Sequence, residues 1–178
     1  MFYHNTKKLV MASLMASMTC IATMIIQFPI GNGYIHLGDG LVLLSGIILG
    51  PIYGGLAAGI GSMFADIFSG YAQYAIGTFI IKAFAAILAG LIYSSFIRIK
   101  VFHKSYTIPI IIAGICGGVV VTTGYFLYSA FYLSEGLAAA FAIPGNIVQN
   151  ILGIIVSCFL IPILIKVPFI RFIMLKKA

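Results

Sequence analysis

The sequence predicts an all-α integral membrane domain: one unit over residues 1–178, six transmembrane helices, N- and C-termini both cytoplasmic. Three observations predict it. Of the 178 residues, 62% are hydrophobic and 7% are charged, where a soluble domain carries about 25% charge. The apolar residues fall into six runs, several near the ~20 residues that cross a bilayer. Nine of the ten Lys and Arg residues collect in three short clusters outside those runs.

The first span covers 9–26. Lys7 and Lys8 before it give it the look of a signal peptide. It is long enough to span, however, and no small-x-small site follows before Gln27 and Pro29, so it reads as retained. Residues 27–37 (QFPIGNGYIHL) hold Pro, two Gly, Asn and His and read as a loop. Two shorter apolar runs, 39–50 and 52–68, flank Pro51. A polar, aromatic loop over 69–74 leads to the fourth span, 75–97. A basic loop, the fifth span at 108–133, a loop with Glu135 and the sixth span at 146–165 complete the series, and a basic tail closes the chain. Small residues recur four apart, as in Ala12/Ala16, Gly55/Gly59, Ala86/Gly90 and Gly114/Gly118, a spacing that lets helices approach closely in lipid.

The charges set the topology. Lys7 and Lys8, then Arg98, Lys100 and Lys104, then Lys166, Arg171, Lys176 and Lys177 form the three clusters, and the positive-inside rule places them in the cytoplasm. Asp39, Asp66 and Glu135 then fall toward the outside. Lys82 stands apart, inside TFIIKAFAAILAG. A charge at membrane depth costs ~2.5–3.5 kcal/mol on insertion scales, so it implies a function and a partner. Asp39 and Asp66 are both candidate partners.

Polar residues recur at helical spacing near the outer ends of the spans: Tyr74, Thr78 and Lys82; Tyr125, Tyr128 and Tyr132; Asn146, Gln149 and Asn150. The first outer loop adds Asn32, Tyr34 and His36, with Asp39 beyond, and the second adds Tyr71. Aromatic walls with a few placed polar groups suit a small, flat, polar ligand. Catalysis is disfavoured. No His/Cys set has zinc spacing, nothing resembles an activated nucleophile, and no Gly-Lys dipeptide exists for a Walker A loop. Cys20, Cys116 and Cys158 lie singly in apolar runs and suggest neither metal nor disulfide. The sequence therefore predicts no enzyme, no resident cofactor or metal, and no nucleic-acid partner.

The run from Gly33 to Tyr93 resembles the substrate-binding S components of energy-coupling factor (ECF) vitamin transporters. The elements His36-x-Gly38-Asp39, Ala65-Asp66-x-x-Ser69-Gly70-Tyr71 and Thr78-Phe79-x-Ile81-Lys82 carry the likeness. The nearest branch is that for riboflavin, hydroxymethylpyrimidine or pyridoxine. The resemblance implies a high-affinity vitamin-binding subunit in the bacterial plasma membrane, docked on a transmembrane T component that is coupled to two ATP-consuming subunits. It implies a ligand held by the first outer loop and helices four to six, where the polar stripes fall, and the expected substrate-binding residues are Asn32, Tyr34, His36, Asp39, Tyr71, Tyr74, Thr78, Lys82, Tyr125, Tyr128, Asn146, Gln149 and Asn150. It also implies docking through Ala12 and Ala16. Pyridoxine or hydroxymethylpyrimidine is the favoured ligand, and the absence of Trp leaves stacking to Tyr and Phe. The alternative is a self-contained secondary transporter or channel for a small polar solute.

Overall fold

The computed structural model of the protein describes residues 2–25, 27–30, 33–99 and 106–175. Helix α1 spans Phe2–Ile25 and leads into a hairpin of β1 (Gln27–Ile30) and β2 (Gly33–His36). Helices α2 (Gly38–Leu49), α3 (Pro51–Phe68), α4 (Ala75–Ile97) and α5 (Thr107–Leu127) follow. A π turn, Tyr128–Tyr132, extends α5, and a 3-10 helix, Gly136–Ala142, runs directly into α6 (Ile143–Leu164). A short α7, Pro168–Leu175, ends the described chain.

The chain is helical apart from the hairpin. Among the described residues, four stretches are long and apolar enough to cross a membrane: Thr6–Ile25, Ala75–Ile97, Thr107–Tyr132 and Gly136–Leu164. Helix α2 has 12 residues, about 18 Å at 1.5 Å per residue, well short of a ~30 Å hydrocarbon core. It is apolar on every side, and 11 of its residues are buried, the pattern of a core helix. It packs against α1, α3, α4 and α6.

Glycines let it do so. A Cβ on Gly46 of α2 would meet the backbone of Ala86 in α4, and one on Gly90 would lie 2.5 Å from the Gly46 carbonyl. A Cβ on Gly54 of α3 would run into Ser45. Helices α2, α3 and α4 thus touch backbone to backbone. Between α2 and α3, Gly50 turns the chain at φ +85°, a region natural only to glycine, and Pro51 opens α3 where its missing N–H is harmless.

The segment over 27–37, a loop by sequence, is largely an antiparallel hairpin pairing Gln27 with His36 and Pro29 with Tyr34. Phe28, Ile30, Tyr34 and Ile35 suit strands, and Pro29 is tolerated because both strands of a two-stranded sheet are edges. The loop read over 134–144 holds the 3-10 helix, and α6 begins at Ile143 with Pro144 in its first turn. Asn146 therefore lies inside α6, not at its start.

Lys8 sits 5.9 Å from the Tyr53 ring centre and Lys7 5.7 Å from that of Phe169. These contacts gather the starts of α1 and α3 with α7 at one end of the bundle. The hairpin and the start of α2 lie at the other.

Candidate ligand-binding site

Asp39 occupies the first turn of α2, where the helix dipole favours negative charge. Lys82, two turns into α4, is wholly buried at 0% exposure and pairs with Asp39 Oδ1. Gln149 Nε2 on α6 donates to the other carboxylate oxygen at 2.8 Å. Gln149 Oε1 in turn accepts from the His36 backbone N–H at 3.0 Å. His36 Nδ1 accepts from the Gly38 backbone N–H at 3.0 Å. One chain of bonds thus ties α4, α2, α6 and the hairpin together.

Glycine is required at position 38. A Cβ there would collide with Thr23 Oγ1 and lie 2.8 Å from His36 Nδ1. Burial pushes the His36 imidazole down to about 4, against the opposing pull of the Asp39 carboxylate, so His36 is neutral at neutral pH.

Helix α5 closes the far side. The Lys82 ammonium stands 5.2 Å from the Tyr125 ring centre, a cation–π contact. The Tyr125 hydroxyl lies 2.9 Å from Thr78 Oγ1, one turn before Lys82. Below Asp39, a cleft of about 20 Å³ is lined by Val42, Ala85, Gly117, Asn150 and Gly153 among others, room for roughly one water. A buried ion pair is tolerated when its remaining hydrogen-bonding capacity is met, and here an amide and an aromatic face contribute. The set offers donors, an acceptor and a ring face. Groups of these kinds can hold a small polar molecule.

A sequence model of the ECF-type riboflavin transporter S component family matches residues 3–166. The chain belongs to this family. It is a transporter subunit of membrane type, not an enzyme. A solved structure described as "Structure and mechanism of the S component of a bacterial ECF transporter" has a TM-score of 0.68 and 26% identity, covering 91% of this chain and 97% of that one. An uncharacterised protein of the gap 3′ region of Pyrococcus woesei is 33% identical over 142 residues, 77% of this chain and 87% of that protein.

In this S component, His36, Asp39, Thr78, Lys82, Tyr125 and Gln149 converge on one network. Of the two acids that the sequence offered to Lys82, Asp39 pairs with it. Tyr74 and Tyr128 form a second, aromatic group with ring centres 6.3 Å apart. The Tyr128 hydroxyl donates to the Gln73 carbonyl at 2.8 Å, and Tyr128 stacks on Tyr132 at 4.8 Å. The Tyr74 hydroxyl donates to Glu135 at 3.4 Å. Tyr71 is half-buried beyond α3, where its backbone N–H donates to the Asp66 carbonyl at 2.8 Å.

Asn150 holds α5 to α6 by donating to the Gly118 carbonyl at 3.0 Å and Thr122 Oγ1 at 3.1 Å, and it borders the cleft. Asn146 is half-buried and stands outside both groups. Tyr34 lies on β2, and Asn32 falls outside the described residues. Ala12 is buried at 8% exposure and faces into the bundle, whereas Ala16 is half-buried and keeps part of its surface.

Two contributors escaped the sequence reading. Ser157 donates to the Gly40 carbonyl at 3.1 Å, and Gly153 lets α2 approach, since a Cβ there would lie 3.0 Å from Gly40 N. Gln149, Gly153 and Ser157 are spaced i, i+4, i+8. In the sequence this stripe is masked by the denser polar cluster 146/149/150.

Proposed function

We propose that this S component is the high-affinity substrate-binding subunit of an ATP-driven ECF vitamin importer. It resides in the cell membrane with cytoplasmic termini and six crossings, the short α2 making its crossing inside the bundle rather than against lipid, and it takes its ligand from the outer side. It works with a T component and two ATPase subunits that consume the ATP. The family match and the buried Lys82–Asp39–Gln149–His36 network support this reading, because a charge at membrane depth is costly and marks a functional site by default.

Lys82 and Asp39 order the polar floor. Tyr71, Tyr74, Tyr125 and Tyr128 supply ring faces and hydroxyls, Asn146, Gln149 and Asn150 supply amides, and Asn32, Tyr34 and His36, first-loop residues by sequence, supply further contacts. The ligand class is a flat nitrogen heteroaromatic vitamin. Riboflavin, named in the family's description, is the first to test. Pyridoxine and hydroxymethylpyrimidine, one-ring ligands, come next.

Mass spectrometry of the small molecule that co-purifies with the protein, followed by titration calorimetry with the three vitamins, tests this reading. One of them is expected to bind tightly to wild type and not to Lys82→Ala. Tight binding to none of the three, or wild-type affinity in a folded Lys82→Ala protein, rejects it.

A further inference from the structure

We infer that the groove between the start of α1 and α7 binds one anionic phospholipid. This goes beyond the transport reading and does not depend on it. The groove has a volume of about 370 Å³ and is lined by Thr6, Lys7, Val10, Met11 and Phe169. Its chemistry is two-part: a lysine and a hydroxyl at one edge, a thioether, an isopropyl group and a phenyl ring along the floor. A phosphodiester with the first stretch of an acyl chain has the same two parts.

The surroundings favour a negative headgroup. Lys7 leans over the Phe169 ring at 5.7 Å, and Lys8 lies one residue on, over Tyr53. Lys166 and Arg171 flank Phe169 in sequence, and both are exposed. None of the chain's three acids serves this end. Asp39 begins α2, Asp66 lies near the end of α3, and Glu135 follows α5, all at the opposite end of the bundle.

The form of α7 fits an interfacial position. Ile170 and Ile173 are buried at 7% and 2%, while Arg171 and Phe172 are exposed. Such a helix lies in the plane where phosphates meet acyl chains. Basic pockets beside membrane helices take anionic headgroups by the same attraction. Val10 of the groove belongs to an exposed apolar face of α1 with Leu9 and Leu14, which leaves the second chain a place in the bilayer.

The test uses the full chain in a neutral detergent. Native mass spectrometry and thermal unfolding are measured with phosphatidylglycerol, with phosphatidylcholine of identical chains, and with glycerol phosphate. One phosphatidylglycerol is expected to be retained and to raise the unfolding temperature saturably. Phosphatidylcholine and glycerol phosphate should do neither. Lys7→Gln should weaken retention on the order of fivefold, the factor for one basic residue at an anionic surface. Val10→Trp, which fills the groove and spares Lys7, should abolish it. Both residues are exposed, and Lys7→Gln decides the matter if the bulkier variant fails to fold.

Three outcomes overturn the inference: equal responses to the two lipids, a full response to glycerol phosphate alone, or retention that survives both substitutions. If Val10→Trp disrupts a protein complex but leaves the phosphatidylglycerol response intact, the groove belongs to a protein partner and the lipid assignment is wrong.

Discussion

Lys82 and Asp39 have no hydration to fall back on, so each stabilises the other only while both are present. Removing one partner of a buried pair costs ~3–5 kcal/mol, whereas replacing both can be nearly neutral. Lys82→Met alone should therefore lower the unfolding temperature more than Lys82→Met combined with Asp39→Asn, measured by far-UV circular dichroism in detergent. The reverse order would show that the pair does not carry local stability.

His36 makes a separate prediction. Its folded value of about 4 lies below the ordinary 6.5, so the unfolded chain binds the proton more tightly. The stability it contributes is complete above pH ~6.5 and is lost as pH falls toward ~4, of order 3 kcal/mol at ~1.4 kcal/mol per unit. His36→Asn can still accept from the Gly38 N–H, as an Asx turn does, and should flatten the His36 component of the pH dependence of melting. At this scale the sequence was informative about Lys82, because a lone charge in an apolar run stands out. Its choice between Asp39 and Asp66 was not legible, since both acids fall at similar depth. What distinguishes Asp39 is Gln149, 110 residues away.

Among the elements, α2 is defined by what it lacks. Gly46 leaves no space for a side chain against Ala86, and Gly90 presses on Gly46 from the neighbouring helix. Gly46→Ala forces α2 and α4 apart and should cost ~1–3 kcal/mol, the range for overpacking. Gly117→Ala, whose added Cβ would lie 3.3 Å from the Ala85 carbonyl oxygen, should cost less. Thermal melts of the two variants side by side check the ranking. The helical class was readable from apolar runs and small-residue spacing. The hairpin was not, because Pro29 and the glycines signal a turn, and two four-residue strands carry too little alternation to outweigh them.

For the whole molecule, the proposed division of labour predicts that proteoliposomes containing this chain alone bind vitamin without accumulating it. Uptake should appear only with a T component, the two ATPases and ATP. Accumulation by the chain alone would point to a self-contained transporter. Docking through α1 needs a test at a position with surface to offer. Ala12 is buried, so a bulky change there disturbs the protein's own core. Ala16→Trp should abolish reconstituted uptake and leave vitamin affinity unchanged, while full uptake would move the docking surface off this stripe. Lys7, Lys8, Lys166 and Arg171 were legible as one end of the bundle because charge segregates along the chain. The basic groove was not, because it forms only when α7 folds back beside α1.

The polar chain from Lys82 to His36 also has an order in time. Asp39 leaves the ribosome 43 residues before Lys82 and 110 before Gln149. At about 5–20 residues per second, the carboxylate waits seconds for its ammonium and longer for its amide. During that interval α2 is too short to span and carries an uncompensated acid. Its natural refuge is the membrane surface, with entry completed as α4 delivers the counter-charge. The polar chain thus stays open until α6, the last long helix, delivers Gln149.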